Sequence, residues 1–407
     1  MKMNAGIESL AFYTPGFSLG LEELARHRRQ DPRKFVEGLG QHRMSVPPPD
    51  EDVVTMAANA AVRALDGVDT ASLDSIIFAT ESGIDQSKAA AIYVHQLIGL
   101  PTTCKAFEIK QACCGSTAAL QMAQALVTLR PDRRVLIVAS DVARYGLGTP
   151  GEPTQGAGAM AILVSATPKL LSFDPESGSY TEDVMDFWRP NYMDEALVDG
   201  KYSIKIYLKA LSESWKGYHA DSGRAFADFT RFCYHLPFTR MAEKAHRHLA
   251  RITGQGDLTE ADLETHLRPS LRYNQVTGNS YTASLYVGLT SLLETDPADL
   301  SGQRIGLFSY GSGCMASYFS GVVLKDYRNQ LRIDEHRRML DDRIELTVPE
   351  YERFYEHRLP VTGEDYATTV HTRGRFRLAG IHDHKRIYEQ VTATAVPVTP
   401  EAALSSV

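Results

Sequence analysis

A cysteine stands where a strand-like stretch of the sequence turns into a helical one. The segment from Glu108 to Thr117 reads Glu-Ile-Lys-Gln-Ala-Cys-Cys-Gly-Ser-Thr and leads through small residues into an apolar helical pattern. A thiol at a helix start lies near unpaired N–H groups and the positive end of the helix dipole. We therefore expect the pKa of Cys113 to fall below about 8.5. The same N–H groups could bind the oxyanion of an attacked thioester. The competing interpretation makes Cys113 and Cys114 small buried core residues.

Two side chains that could act as acid or base follow apolar strand patterns. Glu81 comes directly after Ser75 to Thr80, and open α/β sheets bind their ligands at the carboxyl ends of strands. His235 follows the apolar run from Phe232 to Tyr234 and precedes a helical pattern that begins with proline. Spacing alone also permits a surface carboxylate and a hydrogen-bonded core histidine at these positions.

Other patterns argue against nucleotide and metal sites. The glycine-rich stretches 156–158 and 310–313 lack phosphate-loop or dinucleotide spacing and favour close backbone packing or an oxyanion site. Histidines recur in two pairs with no further ligands placed around them, so we predict no metal site. The pairs are His246 with His248 and His382 with His384.

Composition limits the classes of partner. A net charge of −7, with cationic and acidic residues interspersed, provides no basic face for nucleic acid. No apolar run approaches the roughly 20 residues of a membrane span, and the N-terminal residues lack the apolar core of a secretory signal. The five cysteines are an odd number without Cys-x-x-Cys spacing, which argues against a disulfide framework and a zinc cluster. We expect a cytoplasmic protein.

Short β-rich runs alternate with longer helical patterns, which predicts an α/β fold with a mainly parallel sheet. The predicted strands are Ile7 to Tyr13, Ser75 to Thr80, Arg134 to Ala139, Ala159 to Val164, Phe229 to Tyr234, Ile305 to Tyr310 and Met315 to Val323. The predicted helices are Val53 to Ala64, Lys88 to Ile98, Ser116 to Leu129, Ser203 to Tyr218, Pro237 to Leu249 and Thr282 to Glu294.

Two segments look alike and indicate a duplication. Asp74 to Gly83 and Gln303 to Gly313 are both apolar strands that open into polar loops containing Ser-Gly, with the site expected between the two halves. From about residue 335 the sequence becomes more polar, which predicts a solvated C-terminal extension. The last residues, rich in Ala, Val, Thr and Pro, predict a tail.

Together these segments resemble the hydroxymethylglutaryl-CoA (HMG-CoA) synthase family, most closely its compact bacterial mevalonate-pathway members. The likeness covers about residues 6–325 in one register. The matching segments are Gly38 to Gln41, Pro47 to Asp52, Ala79 to Ser82, Gln111 to Cys113, Ala143 to Leu147, Gly151 to Gly158, Thr181 to Asp183, Asp186 to Pro190, Val198 to Gly200, His235 to Thr239, Gly278 to Thr282 and Gly306 to Gly313.

This resemblance implies a thiolase-like fold, a duplicated five-layered αβαβα architecture. The N-terminal half would span residues 1–166 and carry the nucleophilic cysteine. The C-terminal half would span 167–407 and carry the catalytic histidine, with the polar extension from about 335. Thiolase-type folds usually pair through the sheet edge of the N-terminal half, so the resemblance also implies a homodimer.

Roles carry over from the family residue by residue. Cys113 matches the acyl-carrying nucleophile, Glu81 the general acid/base, and His235 the histidine that contacts the second substrate's oxygen. Asn279 and Ser312 match positions of the acyl pocket. Thr154, Ser203 and Tyr145 match other substrate contacts. The positions near the CoA arm are matched by Asp31, Pro32, Arg240 and Lys244. The Ser312 backbone resembles part of the oxyanion hole.

The sequence departs from the family at two of these places. Cys114 stands where the family usually has tyrosine, which makes the pocket smaller there and adds a second thiol. Arg240 replaces a usual lysine, so the charge is kept while a point charge becomes a planar fork. Arg240 and Lys244 lie one helical turn apart and could share a face toward CoA phosphates, or be ordinary exposed charges.

The implied reaction is a condensation of acetyl-CoA with acetoacetyl-CoA through an acetyl-cysteine, with no metal or redox cofactor. Three alternatives remain. A polyketide β-branching synthase would take its acyl groups from carrier proteins, but its relatives usually differ in the segment from Gln41 to Asp52. A ketosynthase would normally have histidine or asparagine where Glu81 stands. The third alternative is a catalytically silent acyl-CoA-binding scaffold.

Overall fold

The computed structural model of the chain describes residues 5–391. The strands are β1 (Gly6–Tyr13), β2 (Phe17–Gly20), β3 (Arg43–Ser45), β4 (Leu73–Ala79), β5 (Lys105–Ile109), β6 (Arg134–Ala143), β7 (Gly156–Ser165), β8 (Leu171–Thr181), β9 (Phe187–Trp188), β10 (Leu197–Val198), β11 (Arg231–Tyr234), β12 (Arg304–Gly311), β13 (Met315–Val323), β14 (Ile344–Glu345), β15 (Tyr366–Ala367), β16 (Phe376–His382) and β17 (Lys385–Gln390). The helices are α1 (Leu21–His27), α2 (Arg33–Val36), α3 (Val53–Ala64), α4 (Ala90–Leu97), α5 (Gly115–Leu129), α6 (Gly200–Ser222), α7 (Thr239–Ile252), α8 (Glu260–His266), α9 (Asn274–Thr277), α10 (Ser284–Thr295), α11 (Ile333–Asp341) and α12 (Val348–Glu356).

All the predicted strands and helices are present, with ends that differ by a few residues at most. Every residue of β4 is buried, and it pairs in parallel with both β5 and β6, which explains its almost unbroken apolar sequence. Helix α3 begins at Asp52, whose side chain accepts hydrogen bonds from the N–H groups of Val54 and Thr55 at 3.0 and 3.2 Å. The predicted tail lies outside the described residues.

The sheet shows the duplication directly. Within residues 5–391, nine strands form one mixed sheet in the order β11-β12-β13-β8-β1-β7-β6-β4-β5. Starting from β1, the pairings run antiparallel to β7, antiparallel to β6 and parallel to β4. Starting from β8, they run antiparallel to β13, antiparallel to β12 and parallel to β11. The two halves therefore share one topology and meet where β1 pairs with β8.

This topology corrects which segments correspond. The sequence analysis matched the β4 segment to the β12 segment, whereas the strand order makes β4 equivalent to β11 and β6 equivalent to β12. The error arose because both segments are apolar strands followed by Ser-Gly loops, a pattern that does not record neighbours. Consequently Glu81 and His235 follow equivalent strands of the two halves.

Helices α5 and α10 lie in the layer between the halves. Their apolar faces share one buried cluster that includes Leu120 and Ala123 of α5 and Leu289 and Leu292 of α10. Residues 112–129 also have the length and hydropathy of a membrane span, a longer apolar stretch than the sequence analysis recognised, and half of that window is buried. A core helix passes the same test, and its place between two packed halves accounts for the composition.

The expectation of a solvated C-terminal extension is wrong for the parts of residues 335–391 that pack against the rest of the fold, although many residues of this segment are exposed. Strand β14 pairs with β2, and Leu346, Val348 and Tyr351 join the apolar cluster around Phe17. His336 is fully buried and pairs with Glu294 at 2.8 Å. The polarity misled because a few of these polar side chains, namely His336, Arg343 and Arg377, are buried with hydrogen-bond partners, while neighbours such as Arg337 and Asp341 are exposed.

Candidate active site

Cys113 lies in a tight turn between β5 and the start of α5. Ala112 just before it adopts a positive φ of 40°, which is uncommon for a residue with a side chain. The N–H groups of Cys114 and Gly115 donate to the carbonyls of Gln111 and Ala112 at 3.0 and 3.2 Å. These two donors are therefore used inside the turn, and the Cys113 side chain is buried, with the residue only 9% exposed.

The thiol touches the carboxyl group that the sequence analysis paired with it. Cys113 Sγ donates to Glu81 Oε1 at 2.9 Å, although 32 positions separate the two residues. Burial raises the pKa of Glu81 to about 8, and the negative charge of Asp141 adds to the shift, while the hydrogen bond from Cys113 opposes it. A carboxyl with a pKa near neutrality can both accept and return a proton.

The expected lowering of the Cys113 pKa is wrong. Burial raises the pKa of this thiol well above its usual value, and the negative charges of Glu81 and Asp141 raise it further. The helix start does not prevail because the thiol is buried and lies near the carboxyl groups of Glu81 and Asp141. The resting site therefore holds a protonated thiol that is hydrogen-bonded to the carboxyl group of Glu81.

Asp141 organises this corner of the site, and the sequence analysis did not identify it. Its fully buried Oδ1 accepts hydrogen bonds from the Thr80 hydroxyl, the Glu81 N–H and the Ser82 N–H at 2.8, 2.9 and 2.9 Å. Its Oδ2 accepts from the N–H and hydroxyl of Thr282, in the other half of the chain. The available signal was an aspartate inside the apolar strand pattern of β6.

His235 lies at the carboxyl end of β11, held by its main chain. Its N–H donates to the carbonyl of Phe308 at 2.7 Å, and its carbonyl accepts from the hydroxyl of Tyr207 at 2.6 Å. The side chain is buried, and among residues 5–391 nothing bonds its Nδ1. Burial lowers the pKa of His235 to about 3, so the ring is neutral at physiological pH.

Strand β12 connects the His235 side of the site to the cysteine turn. A side chain at Gly311 would meet the Gln111 carbonyl at 2.4 Å and the Cys114 N–H nitrogen at 2.8 Å, so only glycine permits this approach. The hydroxyl of Ser309 donates to Cys114 Sγ at 3.4 Å. His235, which follows the adjacent strand β11, forms no hydrogen bond to Cys113 or Glu81 within residues 5–391.

Residues assigned to the acyl pocket and to other substrate contacts lie close to the cysteine. Tyr145 shares a small buried cluster with Cys113 and Tyr281, and the two tyrosine rings are 6.4 Å apart. Asn279 and Thr154 adjoin this cluster: the Asn279 N–H donates to the Thr154 carbonyl at 3.4 Å, and Asn279 Oδ1 accepts from the Tyr281 N–H at 2.9 Å.

Ser203 and Ser312 are brought together through a second buried aspartate. Asp186 accepts hydrogen bonds from the Ser203 hydroxyl at 3.0 Å, the Tyr310 hydroxyl at 2.7 Å and the Gly313 N–H at 2.9 Å. Ser312 lies between the last two of these donors. Asp186 therefore fixes the loop after β12, and the sequence analysis gave it no role.

The four positions assigned to the CoA arm form no hydrogen bond or ion pair with Cys113 or Glu81 within the described chain. Asp31 follows Gln30 on the surface and pairs with Arg33 at 2.8 Å, and Pro32 precedes the short helix α2. Arg240 donates to the Glu37 carbonyl and pairs with Glu243 at 2.5 Å. Lys244 stands over the Phe238 ring at 5.7 Å. The charge of Arg240 is thus already partnered.

The duplicated sheet, with Glu81 and His235 at equivalent strand ends and a buried cysteine between the halves, defines a condensing enzyme of the thiolase-like class. Two family models match almost the whole described chain. The hydroxymethylglutaryl-coenzyme A synthase N-terminal model matches residues 1–169, and the C-terminal model matches 171–260 and 253–378. The chain belongs to the hydroxymethylglutaryl-CoA synthase family.

Curated relatives agree with this membership. A hydroxymethylglutaryl-CoA synthase of Enterococcus faecalis is 42% identical over 343 residues, which is 84% of this chain and 89% of that relative. The polyketide biosynthesis 3-hydroxy-3-methylglutaryl-ACP synthase PksG of Bacillus subtilis is 34% identical over 361 residues, 84% of this chain and 85% of that relative.

Solved structures show the same fold. An HMG-CoA synthase complexed with CoA superposes with a TM-score of 0.91 at 39% identity, covering 96% of this chain and 100% of that one. The HMG synthase of the curacin biosynthetic pathway, in complex with an acetyl donor acyl carrier protein, superposes with a TM-score of 0.89 at 32% identity, covering 95% and 100%.

Proposed function

We propose that the chain condenses acetyl-CoA with acetoacetyl-CoA to give HMG-CoA and CoA, through an acetyl group carried on Cys113. The observation that carries this proposal is the partly buried hydrogen bond of 2.9 Å between Cys113 Sγ and Glu81 Oε1. Membership of the family and the relatives that are themselves named hydroxymethylglutaryl-CoA synthase support it.

In the acetyl transfer, the sulfur of Cys113 attacks the thioester carbon while its proton passes to Glu81. The carboxylate form of a group whose pKa is about 8 is basic enough to take that proton, and part of Glu81 is in this form at neutral pH. The C–S bond to CoA then breaks, and the proton leaves with the CoA thiol. The product is an acetylated Cys113 and a Glu81 carboxylate ready for a second proton transfer.

In the condensation, Glu81 removes a proton from the acetyl methyl group, and the electron pair left behind attacks the ketone carbon of acetoacetyl-CoA. The ketone oxygen becomes an alkoxide, which takes up a proton to give the hydroxyl group of the product, while Glu81 gives up the proton that it removed. His235 is neutral, so it stabilises this oxygen by donating a hydrogen bond instead of a full positive charge. Water then hydrolyses the enzyme thioester, which releases HMG-CoA and frees Cys113.

The proposed reaction uses CoA thioesters as substrates and needs no metal or redox cofactor. The steps are acyl transfer, proton transfer, carbon–carbon bond formation and hydrolysis, and their sum requires no external oxidant or reductant. Unchanged turnover after treatment with a chelator would support this proposal, and restoration by an added metal ion would contradict it.

The test is HMG-CoA formation from purified protein and the two CoA thioesters, together with the intact mass after acetyl-CoA alone. We expect one added acetyl group on Cys113 and release of HMG-CoA. Absence of product with an intact acetyl-enzyme would overturn the proposal. The matched control is Cys233→Ser, since Cys233 is a buried cysteine on β11 and should not carry the acetyl group.

A second candidate is condensation of acyl groups bound to carrier proteins, as in polyketide β-branching. The likeness to PksG at 34% identity and to the curacin enzyme at a TM-score of 0.89 favours it, while the higher identity of 42% to the Enterococcus enzyme favours the CoA substrates. Rates with an acetyl-carrier protein and with acetyl-CoA at equal concentration separate the two.

We also propose that the protein is a homodimer paired through β5. This strand forms the edge of the sheet in the described chain, so one row of its main-chain groups is unpaired. It packs against α4 and α5, which carry the exposed apolar residues Ile92 and Met122, 41% and 49% exposed. A monomer in sedimentation equilibrium would contradict this proposal. The expected cytoplasmic location stays a prediction that cell fractionation can test.

A further inference from the structure

A segment of the chain packs beside the cysteine pocket and contacts the main chain of Glu81. We call residues 183–199 the flap. It contains the short strands β9 and β10, which pair with each other. The Val184 N–H bonds the Gly313 carbonyl at 2.7 Å, and the Ala196 N–H bonds the Arg144 carbonyl at 3.2 Å. The Phe187 ring lies 5.7 Å from that of Tyr281. The flap is thus attached to both halves around the pocket.

Arg189 reaches from the flap to the main chain of the catalytic carboxyl. Its Nη2 donates to the Glu81 carbonyl, while Asp141 Oδ1 accepts from the Glu81 N–H at 2.9 Å on the other side. The N–H of Glu81 is therefore held by Asp141 of β6, and its carbonyl is held by Arg189 of the flap. A side chain whose main chain is fixed in this way has few orientations left.

The positive charge of Arg189 also acts on the carboxyl group of Glu81. Within residues 5–391 the Arg189 guanidinium forms no ion pair with a carboxylate. By contrast, Arg358, which lies outside the flap, pairs with Asp194 of the flap at 2.9 Å. Burial and the charge of Asp141 raise the pKa of Glu81, and the positive charge of Arg189 acts in the opposite direction. Arg189 therefore favours the carboxylate form that abstracts a proton.

We propose that Arg189 is a positioning residue for the abstraction of the acetyl methyl proton, because it holds the Glu81 main chain from the flap and keeps a positive charge beside the carboxylate. The proposal rests on the proposed function. In the step concerned, a C–H bond of the acetyl group breaks, an O–H bond forms on Glu81, and the electron pair spreads onto the thioester oxygen. Arg189 itself forms no bond to the acetyl group.

The test compares Arg189→Met, Arg189→Lys and Arg358→Met in the full chain. Arg358 is the matched control because it also bonds the flap, at the Asp194 end, away from Glu81. Three quantities are measured for each variant: acetylation of Cys113 by intact mass, incorporation of solvent deuterium into the acetyl methyl group, and HMG-CoA turnover against pH.

We expect Arg189→Met to slow deuterium incorporation and turnover by about 10- to 100-fold, and acetylation by clearly less. Loss of the positive charge raises the pKa of Glu81, so the acid limb of the turnover profile should move to higher pH. Arg189→Lys keeps the charge and should leave the limb in place while losing part of the rate. Arg358→Met should leave the limb in place.

An unmoved acid limb in Arg189→Met, or an equal fall in acetylation and deuterium incorporation, would overturn the role of Arg189. If Arg189→Met does not fold, the same comparison rests on Arg189→Lys, which must then lose deuterium incorporation more than acetylation. If the wild-type chain incorporates deuterium but makes no HMG-CoA, the proposed function fails, and deuterium incorporation against pH in the variants still decides the role of Arg189.

Discussion

The carboxyl group of Glu81 and the imidazole of His235 lie at equivalent strand ends of the two halves, and their surroundings differ. Charged and hydrogen-bonding side chains lie around Glu81, whereas His235 is held mainly through its main chain. Glu81 follows strand β4 and His235 follows strand β11. Each of these strands pairs in parallel with one of two equivalent strands, β4 with β6 and β11 with β12. Glu81 is surrounded by Asp141, Cys113 and Arg189. His235 is held by hydrogen bonds of its main chain, and among the described residues its Nδ1 has no hydrogen-bond partner.

The difference separates two chemical tasks. Burial raises the pKa of Glu81 to about 8 and lowers that of His235 to about 3, so both groups are pushed toward their neutral forms. For the carboxyl this brings the pKa close to neutral pH, where the group can change protonation state. For the imidazole it removes the positive charge and leaves a hydrogen-bond donor and acceptor. One fold thus supplies an acid/base from one half and a fixed polar contact from the other.

The largest effect should come from removing the carboxyl. Glu81→Ala should lower HMG-CoA formation by about 10³- to 10⁴-fold, since a base that directly removes a proton is lost, while Cys113 still becomes acetylated more slowly. Stopped-flow turnover and intact mass measure the two steps. Asp85→Asn, an exposed carboxyl of the same loop, is the control. Normal condensation by Glu81→Ala would remove Glu81 from the mechanism.

A smaller effect is expected at the other strand end. His235→Ala should lower condensation by about 10²-fold, with acetylation little changed, because one hydrogen bond to the ketone oxygen is lost. His235→Asn retains an N–H donor and should recover part of that loss. Both variants are compared by kcat and by KM for acetoacetyl-CoA. If the asparagine variant is no better than the alanine variant, His235 does more than donate a hydrogen bond.

The pH profile sharpens the same contrast. Proton abstraction requires the Glu81 carboxylate, so turnover should fall as the pH drops through about 8. A group whose pKa is about 3 does not titrate in that range, so His235 should add no second limb near neutrality. The measurement is kcat between about pH 5 and pH 9. A limb near the ordinary histidine pKa that disappears in His235→Asn would show that the ring is charged.

The smallest effect is expected for Cys114, which contacts Ser309 of β12 next to the cysteine turn. Cys114 is fully buried, and its sulfur accepts a hydrogen bond from Ser309, whereas the Cys113 thiol donates to the Glu81 carboxyl, so Cys114 should not compete with Cys113 for the acetyl group. Cys114→Ser should change turnover by less than about threefold and stability by about 1 kcal/mol. Thermal unfolding and intact mass check this. Two acetyl groups per wild-type chain would contradict it.

The sequence located the strands and helices but did not show how the strands pair. A mainly parallel sheet was expected, whereas five of the eight pairings in the nine-stranded sheet of residues 5–391 are antiparallel. Apolar strand and helix patterns located the elements, including the helix start beside Cys113, because periodicity reports which faces are buried. Strand β8 was missed since its burial alternates with exposed polar residues such as Asp174 and Glu176, although it joins the two halves. The C-terminal residues were assigned to solvent because composition does not show whether a charge has a buried partner.

Residue types and their order along the chain determined that a cysteine, a carboxylate and an imidazole stand beside strand ends, and their resemblance to known segments indicated the family. Only the tertiary structure decided what each group is at rest: a protonated Cys113 bonded to Glu81, and a neutral His235. Asp141 and Arg189 lie 60 and 108 positions from Glu81. The physical reason is that a pKa depends on burial and on charges brought close in space, and neither is encoded by local spacing.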